Sequence, residues 1–262
     1  MTAPEHALAG WNRIEAEIRG ARRVAFFSDF DGTLARIRRH PGHVVLPERV
    51  RILFAAVARA AGLAGIVSGR GIADLRRRAR VRRIWYAGAH GFFLVTPDNR
   101  MISLLSRGER KRMSEVHRSL ARRLRGLRGI HLEPKDATIA VHYRAASARS
   151  AARARRLTVA VLEEHPGVSL MAGKKMWELL PNSHIDKWTA ITFILRRARQ
   201  RSNGRLRLPI FLGDDVTDER VFQKMEGISI AVGKKHRTAA RFYLRSPAEV
   251  ARFLEQVRRA LS

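Results

Sequence analysis

The stretch Val24-Ala25-Phe26-Phe27-Ser28-Asp29-Phe30-Asp31-Gly32-Thr33 decides how this chain is read. An unbroken apolar run of this length, rather than an alternating one, marks a strand covered on both faces. It closes on a polar turn of Asp and Gly, residues that suit tight backbone conformations. The pattern recurs: 63–67 closes on Ser68-Gly69-Arg70, 84–87 on Gly88-Ala89-His90-Gly91, and 209–212 on Gly213-Asp214-Asp215. Segments of helical period lie between and beside these runs, at 7–18 (Ala7, Leu8, Trp11, Ile14 and Ile18 on one stripe), 47–61 and 187–201. Buried strands separated by amphipathic helices predict an α/β fold with a parallel sheet, its site beyond the carboxyl ends of the strands. Near the end, Ser246-Pro247-Ala248-Glu249 predicts a helix start with Ser as cap, Pro at the first position and Glu at the third.

The middle of the chain departs from that alternation. A basic helix near 109–125 carries Met113, Val116, Leu120 and Leu124, and 130–133 and 138–143 follow as a strand pair. A second basic helix near 147–164 leads to 168–171 and 176–180, on either side of Ala172-Gly173-Lys174-Lys175. This helix–hairpin–helix–hairpin block predicts an inserted domain at 105–181, with 1–104 plus 182–262 as the surrounding core.

Composition narrows the chemistry. The 262 residues contain no cysteine, which excludes disulfides, thiolate-held metals and thiol catalysis. No segment reaches the roughly 18 apolar residues of a membrane span. The early residues, with Glu5, Glu15 and Glu17, do not read as a secretory leader, and a cytoplasmic location is the expectation. The ten histidines show no zinc-hydrolase spacing, and Gly69-Arg70-Gly71 lacks the rest of a nucleotide-binding loop. Against 52 Lys and Arg stand only 23 Asp and Glu, a net charge of +29. Forty-four of the cations are arginine, in runs such as 76–78, 153–156 and 196–201. Aromatics are only 7% and the runs are dispersed, so arginine on solvated helix faces is favoured over a nucleic-acid surface. Non-specific polyanion binding at low salt is still expected, as is attraction of anionic substrates.

Within so cationic a chain, the acids concentrate at strand ends. Asp29 and Asp31, two apart on extended chain, would project to one side about 6–7 Å apart. Asp214, Asp215, Asp218 and Glu219 gather after another strand. Mutually repelling carboxylates call for a compensating cation, and an all-oxygen donor set suits Mg²⁺. Asp31-Gly32 also suits a plain turn, and Asp218-Glu219 also suits the first turn of a helix.

Asp29-Phe30-Asp31-Gly32-Thr33-Leu34, Ser68-Gly69-Arg70, Lys187 and Gly213-Asp214-Asp215-Val216-Thr217-Asp218-Glu219 resemble, in order, the motifs of the haloacid dehalogenase superfamily. With 87–91, Leu132-Glu133-Pro134-Lys135, Val141-His142-Tyr143-Arg144 and Gly173-Lys174 with Glu178, the chain resembles the trehalose-6-phosphate phosphatase family more narrowly. The resemblance implies a Rossmann-like core of the haloacid dehalogenase type with an inserted α/β cap, and Mg²⁺-dependent hydrolysis of trehalose 6-phosphate through an aspartyl-phosphate. It implies Asp29 as nucleophile, Asp31 as general acid and base, Thr33 and Ser68 on the phosphate, and Lys187 as the catalytic lysine. It further implies a metal held by Asp29, the Asp31 carbonyl and Asp214, with Asp215 and Asp218 orienting waters and the lysine. Gly69, Arg70, His90, Glu133, Lys135, His142, Arg144 and Glu178 are implied for substrate. Trp188 departs from the family's glycine after the lysine. The resemblance also admits a trehalose-phosphate synthase as partner. Two rival readings are a phosphatase for another sugar phosphate, such as that of sucrose or glucosylglycerol, and a basic nucleic-acid-binding protein on an inactive scaffold.

Overall fold

The computed structural model describes residues 3–38, 41–135, 137–173, 175–200, 207–233 and 237–262. The chain divides into two compact units, Met1–Ile102 with Ile185–Ser262, and Ser103–His184. Among the described residues no helix is long and apolar enough to cross a membrane.

In chain order, the first unit opens with β1 (Glu5–His6), α1 (Trp11–Gly20), β2 (Val24–Ser28), α2 (Glu48–Ala61) and β3 (Ala64–Val67). Then come α3 (Ile72–Ala79), β4 (Trp85–Gly88), β5 (Phe93–Val95) and β6 (Met101–Ser103). The second unit holds α4 (Arg107–Arg123), β7 (His131–Lys135), β8 (Thr138–His142), α5 (Ala148–Glu164), β9 (Val168–Gly173) and β10 (Met176–Pro181). The first unit resumes with α6 (Lys187–Gln200), β11 (Leu208–Gly213), α7 (Val216–Lys224), β12 (Ile228–Val232), β13 (Phe242–Leu244) and α8 (Pro247–Ala260).

The large sheet runs β1-β13-β12-β11-β2-β3-β4-β5-β6. From β1 through β4 every pairing is parallel, and β5 turns antiparallel against β4. Three of the strands that the apolar runs predict are fully covered: all residues of β2, β3 and β4 are buried, while β11 is buried from Ile210 onward. From β2 the chain proceeds to one side through β3 and β4, and β11, β12 and β13 fill the other. The β2–β11 neighbourhood is therefore the point where strand order reverses, the crevice in which open α/β sheets place their chemistry. One apolar layer gathers Phe26, Phe54, Ile66, Leu75, Ile230, Phe242 and Phe253.

Three local expectations change. Helix α1 starts at Trp11 rather than residue 7, because Gly10 is its cap and Glu5–His6 pairs with Phe242–Tyr243 at the sheet edge. Ser246 makes no capping bond to the α8 backbone; Glu249 instead accepts the Arg245 N–H and lies 2.9 Å from His6 Nε2. Arginine runs are not all solvated: Arg78 is 9% exposed and donates to Asp74 and to the carbonyls of Gly42 and Val44.

In the second unit, the antiparallel sheet β7-β8-β10-β9 packs one face on α4 and α5 through Ile139, Val141, Trp177 and Leu179. Pro134 lies in β7, an edge strand, where a missing N–H costs no ladder bond. Ser106 and Glu109 form a reciprocal capping box at the start of α4.

Phe54 is fully buried and stands edge-on to Phe26, ring centroids 5.8 Å apart. Phe54→Ala is expected to lower stability by about 3–5 kcal/mol. Urea unfolding checks this, and a loss under about 1 kcal/mol would show that α2 does not anchor the sheet.

Candidate active site

Strands β11, β2, β3 and β4 are consecutive neighbours, so their carboxyl ends deliver Asp214, Asp29, Ser68 and His90 side by side. Asp29 is held in the ladder by its N–H bond to Leu212 O at 2.8 Å. The residue is 4% exposed. Lys187, the first residue of α6 and equally buried, donates from Nζ to Asp29 Oδ1 and to Asp218 Oδ1, both at 2.7 Å. A helix start holds this lysine still: Asp186 Oδ1 accepts the Thr189 N–H at 2.7 Å, capping α6 one residue before Lys187. Trp188 is half-buried.

Asp218 is fully buried, and its other oxygen, Oδ2, accepts the backbone N–H groups of Asp214 and Asp215 at 3.0 Å each. Both oxygens are thus engaged within the protein. Asp215 caps α7, its carboxylate accepting the Val216 N–H at 2.6 Å. Two glycines make this closeness possible. A Cβ on Gly213 would lie 2.4 Å from Asp218 Cγ, and one on Gly32 would lie 1.8 Å from Asp214 Oδ2, at a φ of +78° that side chains resist.

Asp29, Asp214 and Asp218 each bring a carboxylate oxygen within 4.8 Å of the others. Lys187 bridges two of them by hydrogen bonds. Burial pushes the Asp29 carboxyl well up, Lys187 opposes, and the Asp218 and Asp214 carboxylates add to the rise. Burial acts to lower the Lys187 ammonium, but Asp29 and Asp218 outweigh it and raise it. A divalent ion fits the all-oxygen donor set of such mutually repelling carboxylates. With Asp218 occupied by Lys187 and two N–H groups, Asp29 and Asp214 are the other two carboxylates of the cluster.

Asp31 does not join that cluster. Arg70 holds it by a two-pronged pair, Nε to Oδ2 and Nη2 to Oδ1, both 2.6 Å. The acidic pair of the sequence is therefore split between two cations, Lys187 for Asp29 and Arg70 for Asp31. Arg70 is fixed in turn by Asp74 at 2.7 Å and lies 5.8 Å over the Phe30 ring. Asp74, bonded by Arg78, Arg70 and Arg77, is held far below the carboxylate range despite its partial burial. Thr33 Oγ1 lies 3.4 Å from Asp214 Oδ1, and Ser68 Oγ accepts the Arg70 N–H at 3.2 Å. His90 has a left-handed backbone (φ +60°), and its imidazole sits against Gly69, 2.8 Å from where a Cβ there would stand.

The remaining expected residues lie in the second unit. The register aligns Glu133 and Glu178 with Ala140, between them on β8, so all three share one face of the sheet. On that face His142 Nε2 lies 2.6 Å from Glu133 Oε2, and Glu178 Oε1 accepts the Thr138 hydroxyl at 2.7 Å with Lys135 Nζ at 3.5 Å. Arg144, just past β8, is exposed. Lys174 lies outside the described residues. Sequence reasoning passed over Asp74 and Asp186, which hold Arg70 and Lys187 in place; Asp186 was legible as a cap before a helical stripe, whereas Asp74 resembled any first-turn acid.

The fold is that of the haloacid dehalogenase-like hydrolases, one of which, from Bacteroides thetaiotaomicron, superposes with a TM-score of 0.64 at 14% identity. Within that class, residues 27–248 match the Trehalose-phosphatase family model, and the chain belongs to this family. It is 30% identical over 256 residues to the probable trehalose-phosphate phosphatase D of Arabidopsis thaliana, covering 92% of this chain and 69% of that protein. It is 35% identical over 268 residues to an uncharacterized glycosyl hydrolase, Rv2006, of Mycobacterium tuberculosis, covering 98% of this chain. The chain spans only 20% of that relative's length. The C-terminal domain of the C. albicans trehalose-6-phosphate phosphatase superposes with a TM-score of 0.70 at 20% identity, covering 98% of each chain.

Replacing Lys187 with Met leaves Asp29 and Asp218 buried without their cation, a loss expected to cost about 3–5 kcal/mol near neutral pH. Because burial already raises the Asp29 carboxyl, the variant's deficit grows as pH rises through its folded-state titration and shrinks toward about pH 4. Metal-free denaturation curves at several pH values check this; a deficit independent of pH would contradict the buried-pair account.

Proposed function

We propose that this protein is a Mg²⁺-dependent phosphatase that hydrolyses trehalose 6-phosphate to trehalose and inorganic phosphate. The observation that carries the reading is the buried Asp29 with Oδ1 fixed by Lys187, at the strand-order reversal beside Asp214. Family membership and the trehalose-phosphate phosphatase names of relatives support the substrate.

Asp29 and Asp214 would hold the ion, with the Asp31 carbonyl as a third donor. When bound, it supplies positive charge against the phosphate dianion and the oxygens of the transition state. Asp29 attacks phosphorus with one carboxylate oxygen while the other stays on the cations; the P–O bond to the sugar breaks and an acyl-phosphate forms. Lys187 steadies both the nucleophile and a phosphate oxygen. Asp31 gives a proton to the departing sugar oxygen and then takes one from the water that cleaves the acyl-phosphate. That role requires Asp31 to leave its two bonds to Arg70. An arriving phosphate offers Arg70 an equivalent anion, while Asp74 keeps the guanidinium anchored. Thr33 and Ser68 hydroxyls complete the phosphate's hydrogen bonds. The unit 103–184 acts as the cap that selects the sugar, with Glu133, Lys135, His142 and Glu178 grouped on one sheet face as its polar surface and Arg144 beside them.

Phosphate release from a panel of sugar phosphates, with and without Mg²⁺, tests this reading. Trehalose 6-phosphate is expected to be turned over preferentially, only with Mg²⁺, and Asp29→Asn to lose at least about 10³-fold in kcat. Glu178→Gln is expected to raise KM at least about tenfold with a smaller effect on kcat. Preference for another phosphorylated sugar would overturn the substrate, and an active Asp29→Asn protein the chemistry.

A further inference from the structure

At the opposite pole of the large sheet from Asp29, the amino ends of β2, β3, β4 and β11 surround a cavity of about 190 Å³. Four arginines line it: Arg23 before β2, Arg83 before β4, Arg197 in the last turn of α6 and Arg207 before β11. Leu63 and Trp85 form its apolar wall.

This cluster differs from the solvated arginine runs in three ways. First, among the described residues none of the four is paired with a carboxylate. Arg207 Nη1 reaches only the carbonyls of Val24 and Ala61, at 3.4 and 3.3 Å. Second, the Nε–H groups of Arg197 and Arg207 are buried without a hydrogen-bond partner, an uncompensated cost for a group that always carries its proton. Burial, and next the neighbouring Arg23, lower the proton affinity of Arg207, as expected where like charges crowd in poor solvent. Third, Arg83 has a φ of +58°, a conformation that favours Gly or Asn over a long side chain. A helix C-terminus accounts for Arg197 alone; it does not account for the other three.

We infer that this cavity is a binding site for a small phosphate-class oxyanion, separate from the catalytic cluster. Guanidinium forks match the tetrahedral, multiply charged face of phosphate. The volume admits a phosphate group with a short organic portion, which would lie against Trp85 and Leu63. Phosphate binding would supply the anionic counter-charge that these four arginines lack among the described residues.

Two tryptophans separate the two sites spectroscopically: Trp85 lines the cavity, and Trp188 follows the catalytic-cluster Lys187. Full-length Asp29→Asn protein, labelled with ¹⁵N at its tryptophan indoles, is titrated with inorganic phosphate and with glycerol phosphate at constant ionic strength. The Trp85 signal is assigned from Trp85→Phe. The Trp85 signal is expected to move saturably, with a Kd of about 1 mM or tighter. Arg197→Gln with Arg207→Gln is expected to weaken that response about a hundredfold, roughly tenfold for each charge-assisted bond lost, while leaving the Trp188 response in place. Arg83→Gly, which relieves the left-handed backbone, is expected to fold at least as well and still bind about tenfold more weakly, so the test stands even if the double variant fails to fold. Tighter binding of glycerol phosphate would assign the apolar wall to the organic portion, and equal binding would assign the site to inorganic phosphate. A Trp85 signal that stays still, moves equally with chloride, or moves unchanged in Arg83→Gly would overturn the inference.

Discussion

The site is organised around one ammonium group shared by two buried carboxylates. Lys187 reaches Asp29 and Asp218 at equal distance, and none of the three is more than 4% exposed. Charges so far from water are tolerated only when each finds a partner, so several features follow from this contact. Asp186 must cap α6 where it does, since Lys187 is the residue that immediately follows. Gly213 and Gly32 must lack side chains, because the carboxylates of Asp218 and Asp214 occupy that space. The parallel order β11-β2-β3 brings Asp29 and Asp214, far apart in sequence, to adjacent strand ends.

Much of this was legible in the sequence, for a physical reason. A strand covered on both faces must be apolar throughout and must end where the chain meets water, so 24–27, 63–67, 84–87 and 209–212 declared both their type and their ends. β12 carries the same signal in Ile228–Val232 but no acidic or glycine-rich turn drew attention to it. The two-residue β1 and three-residue β5, β6 and β13 are set by sheet pairing rather than by their own pattern, which a local reading cannot supply. Ala7 and Leu8 fit a helical stripe, yet pairing of Glu5–His6 with β13 overrode it.

For the site, the residue types and their strand-end positions were readable; the pairings were not. Asp29 and Asp31 stand two apart and invite a shared role, yet one binds Lys187 and the other Arg70, 158 and 39 residues away. Partners at such separations follow from topology, not from spacing. Ser246, Pro247 and Glu249 take the expected cap, first and third positions of α8, but the Glu249 carboxylate is turned to His6 and the Arg245 N–H. In the second unit, alternation in β8 did place Thr138, Ala140 and His142 on one face, and the register with β7 and β10 explains why Glu133 and Glu178 gather there. The arginine surplus divides by setting. Arg78 is embedded among carbonyls and Asp74, whereas Arg144 is exposed.

The central proposal is that one divalent cation is held between Asp29 and Asp214, leaving Asp218 to the lysine. Crystals soaked in Mn²⁺, a hard ion that replaces Mg²⁺ in oxygen sites, test this through the anomalous scattering of the metal. The account predicts one strong peak bonded to oxygens of Asp29 and Asp214, with Lys187 still bridging Asp29 and Asp218. A metal bound by Asp218 in place of the lysine, or none in the cluster at saturating Mn²⁺, would contradict it.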